Sequence, residues 1–87
     1  MRELNLDRLR TLLTVADLGS FAKAAKALHL APPTVTLHVA QLETRLGARL
    51  LHRAPAGVTA TAAGSLLIDK ARRLLAEWRG LDASELP

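Results

Sequence analysis

Ser20-Phe21-Ala22-Lys23-Ala24-Ala25-Lys26-Ala27-Leu28, then His29-Leu30-Ala31, then Pro32-Pro33-Thr34-Val35-Thr36-Leu37-His38-Val39-Ala40-Gln41-Leu42-Glu43-Thr44-Arg45-Leu46 is the stretch that decides the fold. Two helical patterns flank a break of about three residues, the sequence form of a helix-turn-helix. Ser20 is a good N-cap for the first pattern, and Gly19 before it suits the end of an earlier helix. Ala24, Ala25 and Leu28 then put small and apolar residues at helical spacing, so two steeply crossing helices can approach closely. The second pattern opens at Pro32-Pro33, where a missing N–H costs nothing in a helix's first turn. Val35, Val39, Leu42 and Leu46 fall at i, i+4, i+7 and i+11, one stripe of a helix that Gly47 ends. Thr34, Thr36, Leu37, His38 and Gln41 lie off that stripe. The spacing therefore predicts that they face outward, where a reading helix presents side chains to base edges.

The flanks are built to serve this unit. Leu6, Leu9, Leu13 and Ala16, widened by Leu12 and Val15, predict a helix before it, with Asn5 as N-cap, Asp7 at the positive end of the helix dipole and Gly19 as the stop. Arg8 and Arg10 stand off its stripe, open to solvent or to a phosphate. After Gly47 the period changes. Leu50, Leu51 and Val58 flank Ala54-Pro55-Ala56-Gly57, a cluster that signals a tight reversal. Two short strands, Ala48–Arg53 and Val58–Ala60, are expected there, as the wing of a winged helix. Arg53 at the wing's base either reaches a phosphate or pairs with a carboxylate such as Glu43.

Thr61 is an N-cap candidate for a last helix. Gly64 in its first turn costs about 1 kcal/mol relative to Ala, which implies a packing reason such as close approach to a neighbouring helix. Leu67, Ala71, Leu74 and Trp78, joined by Leu66, Ile68 and Leu75, make a broad apolar face on about five turns. Lys70, Arg72, Arg73, Glu77 and Arg79 cover the other side. A core this small leaves the far end of that face unburied, so it either pairs with a second chain or folds back on its own domain. Gly80 reads as a stop and the polar residues to Pro87 as a frayed end.

Eighty-seven residues make at most one small domain. No apolar run reaches the length of a membrane span and no signal-peptide pattern opens the chain, so a cytoplasmic protein is expected. There is no cysteine, hence no disulfide or thiolate metal site. The net charge of +4 is localised: Ser20 to Thr61 carries five basic residues (Lys23, Lys26, Arg45, Arg49, Arg53) against Glu43 alone, while seven of each sign cancel elsewhere. Such a patch suits a polyanion, or is an ordinary solvated basic surface. Aromatics are 2%, Phe21 and Trp78, which argues against the stacking modes that bind single strands or RNA. His29, His38 and His52 have no second ligand at i+3 or i+4, so no metal site is expected. No nucleophile–base pair, paired carboxylate or glycine-rich phosphate cradle suggests an enzyme.

Ser20-Phe21, Ala24-Ala25, Leu28, Pro33, Val35, Thr36, Leu42-Glu43 and Leu46-Gly47 together resemble the DNA-binding segment of LysR-type transcriptional regulators. Arg49-Leu50-Leu51, Arg53 and Thr61-Ala62-Ala63-Gly64 continue the likeness, similar to that family's G-x-x-L-F-x-R … L-T-x-A-G run. It covers the chain from Leu4 to Arg79 without a gap.

The resemblance implies a mainly α protein: a winged helix-turn-helix over residues 1–60, a linker helix over 61–80 that pairs with its twin in a homodimer, and a tail over 81–87. It implies Pro32, Pro33, Thr34, Thr36, Leu37 and His38 facing the bases. Ser20, Lys23, Arg49 and Arg53 would lie on phosphates, Ser20 capping its helix at the same time. Leu67, Ala71, Leu74, Leu75 and Trp78 would form the dimer interface. A small-molecule inducer is expected only in a larger effector-binding domain, which these residues do not supply; the chain itself needs no cofactor.

Three positions depart from the family's pattern. Ala31-Pro32 stands where Ser-Gln is common, removing a side-chain cap and an amide able to read adenine. Leu37 replaces a long basic or polar side chain, and Ala56-Gly57 a basic wing tip. A leucine and two prolines can still meet thymine methyl groups, but phosphate contacts and DNA shape are expected to weigh more than usual. The expected function is sequence-specific binding of double-stranded DNA as a dimer, in bacterial transcription regulation. The alternative is a winged-helix dimerisation module with lost or weak DNA binding.

Overall fold

The computed structural model describes residues 5–79, of which Trp78 and Arg79 only as backbone. The order is α1 (Leu6–Leu18), α2 (Phe21–Leu28), α3 (Pro32–Leu46), β1 (Leu51–Ala54), β2 (Gly57–Ala60) and α4 (Ala62–Arg79). Gly80 and the tail fall outside the described residues.

Local chemistry sets each boundary. Asn5 Oδ1 accepts the Asp7 N–H at 2.7 Å and so caps α1. Gly19 ends α1 at φ 66, a left-handed conformation cheap only for glycine, and its N–H donates to the Val15 carbonyl. Ser20 Oγ accepts the Lys23 N–H and starts α2 immediately. His29 closes α2, also left-handed at φ 56, and its N–H returns to the Ala25 and Lys26 carbonyls. The turn of the helix-turn-helix is thus a left-handed histidine where glycine is commoner.

The prolines start α3 as expected, after Ala31, which offers no side-chain cap. Because Pro32 and Pro33 have no N–H and the Thr34 amide bonds to the Ala31 carbonyl, the first turn of α3 carries little free donor capacity. β1 and β2 pair antiparallel with Leu51 opposite Ala60 and Ala54 opposite Gly57, turning over Pro55-Ala56. Both strands are shifted from their expected bounds: Ala48 to Leu50 precede the ladder. There Glu43 Oε2 accepts the Leu50 N–H at 2.8 Å and the Leu51 N–H at 3.4 Å, so a carboxylate from α3 satisfies amides where the strand begins. The Val58 N–H donates to the Gly19 carbonyl, tying the wing to the α1–α2 corner.

Leu12, Val15, Ala24 and Val35 are fully buried, with Leu9, Val39, Leu42, Leu50 and Leu51 packed around them. Alanines at 24 and 25 let α2 lie close in this core, as the sequence predicts. The buried face of α1 differs from expectation. It is centred on Leu12 and Val15 while Leu6 is exposed, because the three packed helices cover a wider arc than one i, i+4 stripe. Leu46, the last member of the α3 stripe, is exposed as well.

Two corrections concern α4. Its first turns belong to the same core: Ile68 and Ala71 are buried, with Leu67 and Leu75 at the edge. Ala71, expected at a dimer interface, instead packs inside its own domain. The close approach at Gly64 is to the chain leading into β1, not to a helix. A Cβ there would stand 1.9 Å from the Leu50 carbonyl oxygen. Thr61 caps the helix by accepting the Gly64 N–H at 3.0 Å, while its hydroxyl donates to the Arg49 carbonyl at 2.6 Å. The wing root and the start of α4 are therefore one joint.

Candidate nucleic-acid interface

The outer surface of α3 mirrors its buried stripe. Pro33, Leu37, Ala40 and Thr44 repeat the i, i+4, i+7, i+11 spacing of Val35, Val39, Leu42 and Leu46, two residues out of phase. Two steps of about 100° each put them on the opposite side, and all four are exposed. Thr36 is exposed on the flank toward the wing, and Pro32 at the helix start.

The other flank turns inward. His38 is half-buried with Nδ1 2.8 Å from Thr11 Oγ1, and Thr11 Oγ1 lies 3.0 Å from the Asp7 carbonyl. The threonine has one proton. Donating it to the carbonyl, which can only accept, requires His38 Nδ1–H to donate to the threonine oxygen. Gln41 likewise accepts from Arg8 Nε through its side-chain oxygen. Thr34 is half-buried too. Of the side chains expected to face outward, then, Pro32, Pro33, Thr36 and Leu37 do so, whereas His38 and Gln41 bond to α1 and Thr34 is half-buried. Sequence spacing alone placed them wrongly because the buried stripe of α3 is bordered on that side by a second helix. Thr11, a buried hydroxyl on an otherwise apolar face, was the available signal.

Two arginines edge the open face. Arg53 stacks its guanidinium over the Phe21 ring, 3.7 Å from its centroid, and its Nη2 lies 3.5 Å from Thr36 Oγ1. Of the two partners foreseen for Arg53, Glu43 is taken instead by Arg49, whose Nε stands 3.6 Å from Glu43 Oε2. That arginine side chain is 75% exposed, so its remaining donors face solvent. Lys23 is exposed on α2. At the start of α2 the Phe21 and Ala22 amides take no partner among the described residues, which leaves a helix N-terminus open beside Ser20. Phe21 as the seat of Arg53 and Glu43 as the clasp of the wing root were not foreseen; the first joins elements distant in sequence, the second joins α3 to the wing root across the turn after Gly47.

On α4 the expected interface divides. Leu74 is half-exposed and Leu66 more so, Leu67 and Leu75 are half-buried, and Ala71 is internal. Trp78 lies on the helix, and its side chain is outside the described residues. Among the described residues no helix is long and apolar enough to cross a membrane, and no three His, Asp or Glu side chains are grouped to hold a metal.

A three-helix body with a two-stranded wing, an open third helix and a cationic border defines a winged helix-turn-helix. Residues 6–65 match the model of the bacterial regulatory helix-turn-helix proteins of the lysR family, and the chain belongs to that family. It is 43% identical over 77 residues to the SDS degradation transcriptional activation protein of a Pseudomonas species, covering 88% of this chain and 25% of that protein. It spans about a quarter to a third of the length of the curated relatives it matches. Among solved structures, the CbnR_DBD–DNA complex superposes with a TM-score of 0.82 at 38% identity, covering 93% of this chain and 94% of that one. The BenM_DBD/catB site 1 DNA complex gives 0.85 at 32%, covering 90% and 88%. The family is one of bacterial regulatory helix-turn-helix proteins, and the Pseudomonas relative is a transcriptional activation protein.

Proposed function

We propose that this chain binds double-stranded DNA as a homodimer, sequence-selectively, to regulate transcription. The observation that carries this is the open face of α3 set beside Arg53 and Arg49, on the fold of two proteins solved bound to DNA. α3 enters the major groove, with Pro32, Pro33, Thr36 and Leu37 toward the bases. Ser20, the open α2 amides, Lys23, Arg49 and Arg53 hold phosphates on either side of it. His38 acts at one remove by fixing α3 against α1. The chain acts by binding rather than catalysis, in the cytoplasm and without a cofactor of its own; an inducer would act through a separate effector domain.

Dimerisation uses the open side of α4, where Leu66 and Leu74 stay exposed after the helix has covered its own core. Two copies related by a dyad would put their α3 helices about 34 Å apart, one turn of duplex, on an inverted repeat. The deciding experiment is titration of the chain into labelled random duplex over a salt series, with sedimentation in parallel. Binding that falls steeply with salt, by a dimer, supports the proposal. No binding at low salt overturns it in favour of a dimerisation module without DNA.

A further inference from the structure

We infer that Leu37 reads thymine, through the 5-methyl group that base presents in the major groove; this rests on the DNA-binding reading above and names what the site recognises. A single exposed leucine means little by itself, since soluble proteins expose many. Its surroundings give it meaning. Leu37 is 53% exposed at the crest of α3, with Pro33 one turn before it and Ala40 one turn after, so three apolar residues line the crest.

Several polar groups of α3 are committed elsewhere. His38 donates to Thr11 and the Gln41 oxygen accepts from Arg8, both along the α1 flank. Pro32 and Pro33 have no N–H, and the Thr34 amide is bonded within the first turn. Glu43 clasps the Leu50 and Leu51 amides and Arg49 at the wing root. Bidentate recognition of guanine needs a guanidinium or ammonium, and of adenine an amide; Pro33, Leu37 and Ala40 carry neither, and Arg45, the guanidinium on α3, stands in its last turn, away from the end that enters the groove. Thr36 and Thr44 supply hydroxyls, which pair with any base.

The one apolar feature that unmodified base pairs show in the major groove is the thymine methyl. Arg53 beside Thr36, held to a phosphate, sets the depth at which the crest meets the base edges. Burying one methyl against Leu37 is worth about fourfold in affinity per thymine, and more than tenfold for two half-sites.

The test uses the 87-residue chain and a duplex recovered by selection from a random pool. The same duplex is then made with deoxyuridine at each thymidine in turn, which deletes only the methyl. Wild type is expected to lose about fourfold at one thymine per half-site, and Leu37→Ala to bind the thymine and uracil forms alike. Leu37→Gln should recover sites with adenine at that position; thermal melting confirms that both variants fold. Equal binding of the two forms by wild type, or undiminished discrimination by Leu37→Ala, overturns the assignment while leaving DNA binding intact. Recovery of no duplex at all overturns DNA binding itself, and this assignment with it.

Discussion

The guanidinium of Arg53, on the first strand of the wing, lies 3.7 Å from the centroid of the Phe21 ring at the start of α2. On an open surface a long arginine would have many conformers. The ring removes most of them and brings Nη2 to Thr36 on α3. One cation thus touches all three elements that would meet DNA, and its geometry is largely set before any partner arrives.

Arg53→Ala should weaken binding to every duplex sequence and lower the slope of log affinity against log salt by about one unit. Phe21→Leu keeps an apolar residue in place but removes the cation–π contact, worth about 0.5–1 kcal/mol at an exposed site. Affinity is expected to fall about threefold with little change in melting temperature. In the Arg53→Ala background the Phe21 change should then have no further effect. Anisotropy titrations of the four proteins measure this, and full additivity would show that the ring acts independently of the arginine.

Gly64→Ala sets a helix-propensity gain of about 1 kcal/mol against a steric clash. The new Cβ would meet the Leu50 carbonyl oxygen at 1.9 Å and its carbon at 2.8 Å, backbone atoms with no rotamer to yield. Overpacking of that kind costs about 3 kcal/mol, so the net loss is about 2 kcal/mol, or roughly 10 °C in melting temperature. Calorimetry decides the sign. A stabilised variant would mean that α4 can move off the wing root freely.

Thr11→Val removes the oxygen that accepts from His38 Nδ1–H while keeping the side chain's shape. With a half-buried donor left unpaired, the expected loss is about 1–2 kcal/mol in urea unfolding. Adding His38→Leu should restore part of it, since replacing both partners removes the unpaired group. A double variant as unstable as the sum of the singles would mean that the pair contributes nothing as a pair.

Leu74→Glu places a charge on the side of α4 that the domain leaves open. Melting temperature at low protein concentration should barely change, while sedimentation should show the dimer shifted at least tenfold toward monomer. An unaltered dimer would put the interface elsewhere.

The fold was legible in the sequence because its signals are local. Gly19, Ser20, the paired prolines and Gly47 fix helix ends within a few residues of chain, and the Val35, Val39, Leu42 spacing names a buried side without reference to any neighbour. The likeness to the LysR-type pattern was readable for the same reason. What each remaining face meets was not.

His38 against Thr11, Arg53 over Phe21 and Glu43 on the Leu50 amide join residues 27, 32 and 7 positions apart, across elements whose relative placement no single stretch encodes. Ala71 was assigned to a partner because periodicity cannot tell which of two apolar neighbours a helix buries. The backbone approach of α4 to Leu50 settled it. Sequence by itself determined which segments are helices and which chemistry the reading helix carries. Only the packed tertiary structure decided which of those side chains stay free to use it, because burial and hydrogen bonding between distant elements consume the rest.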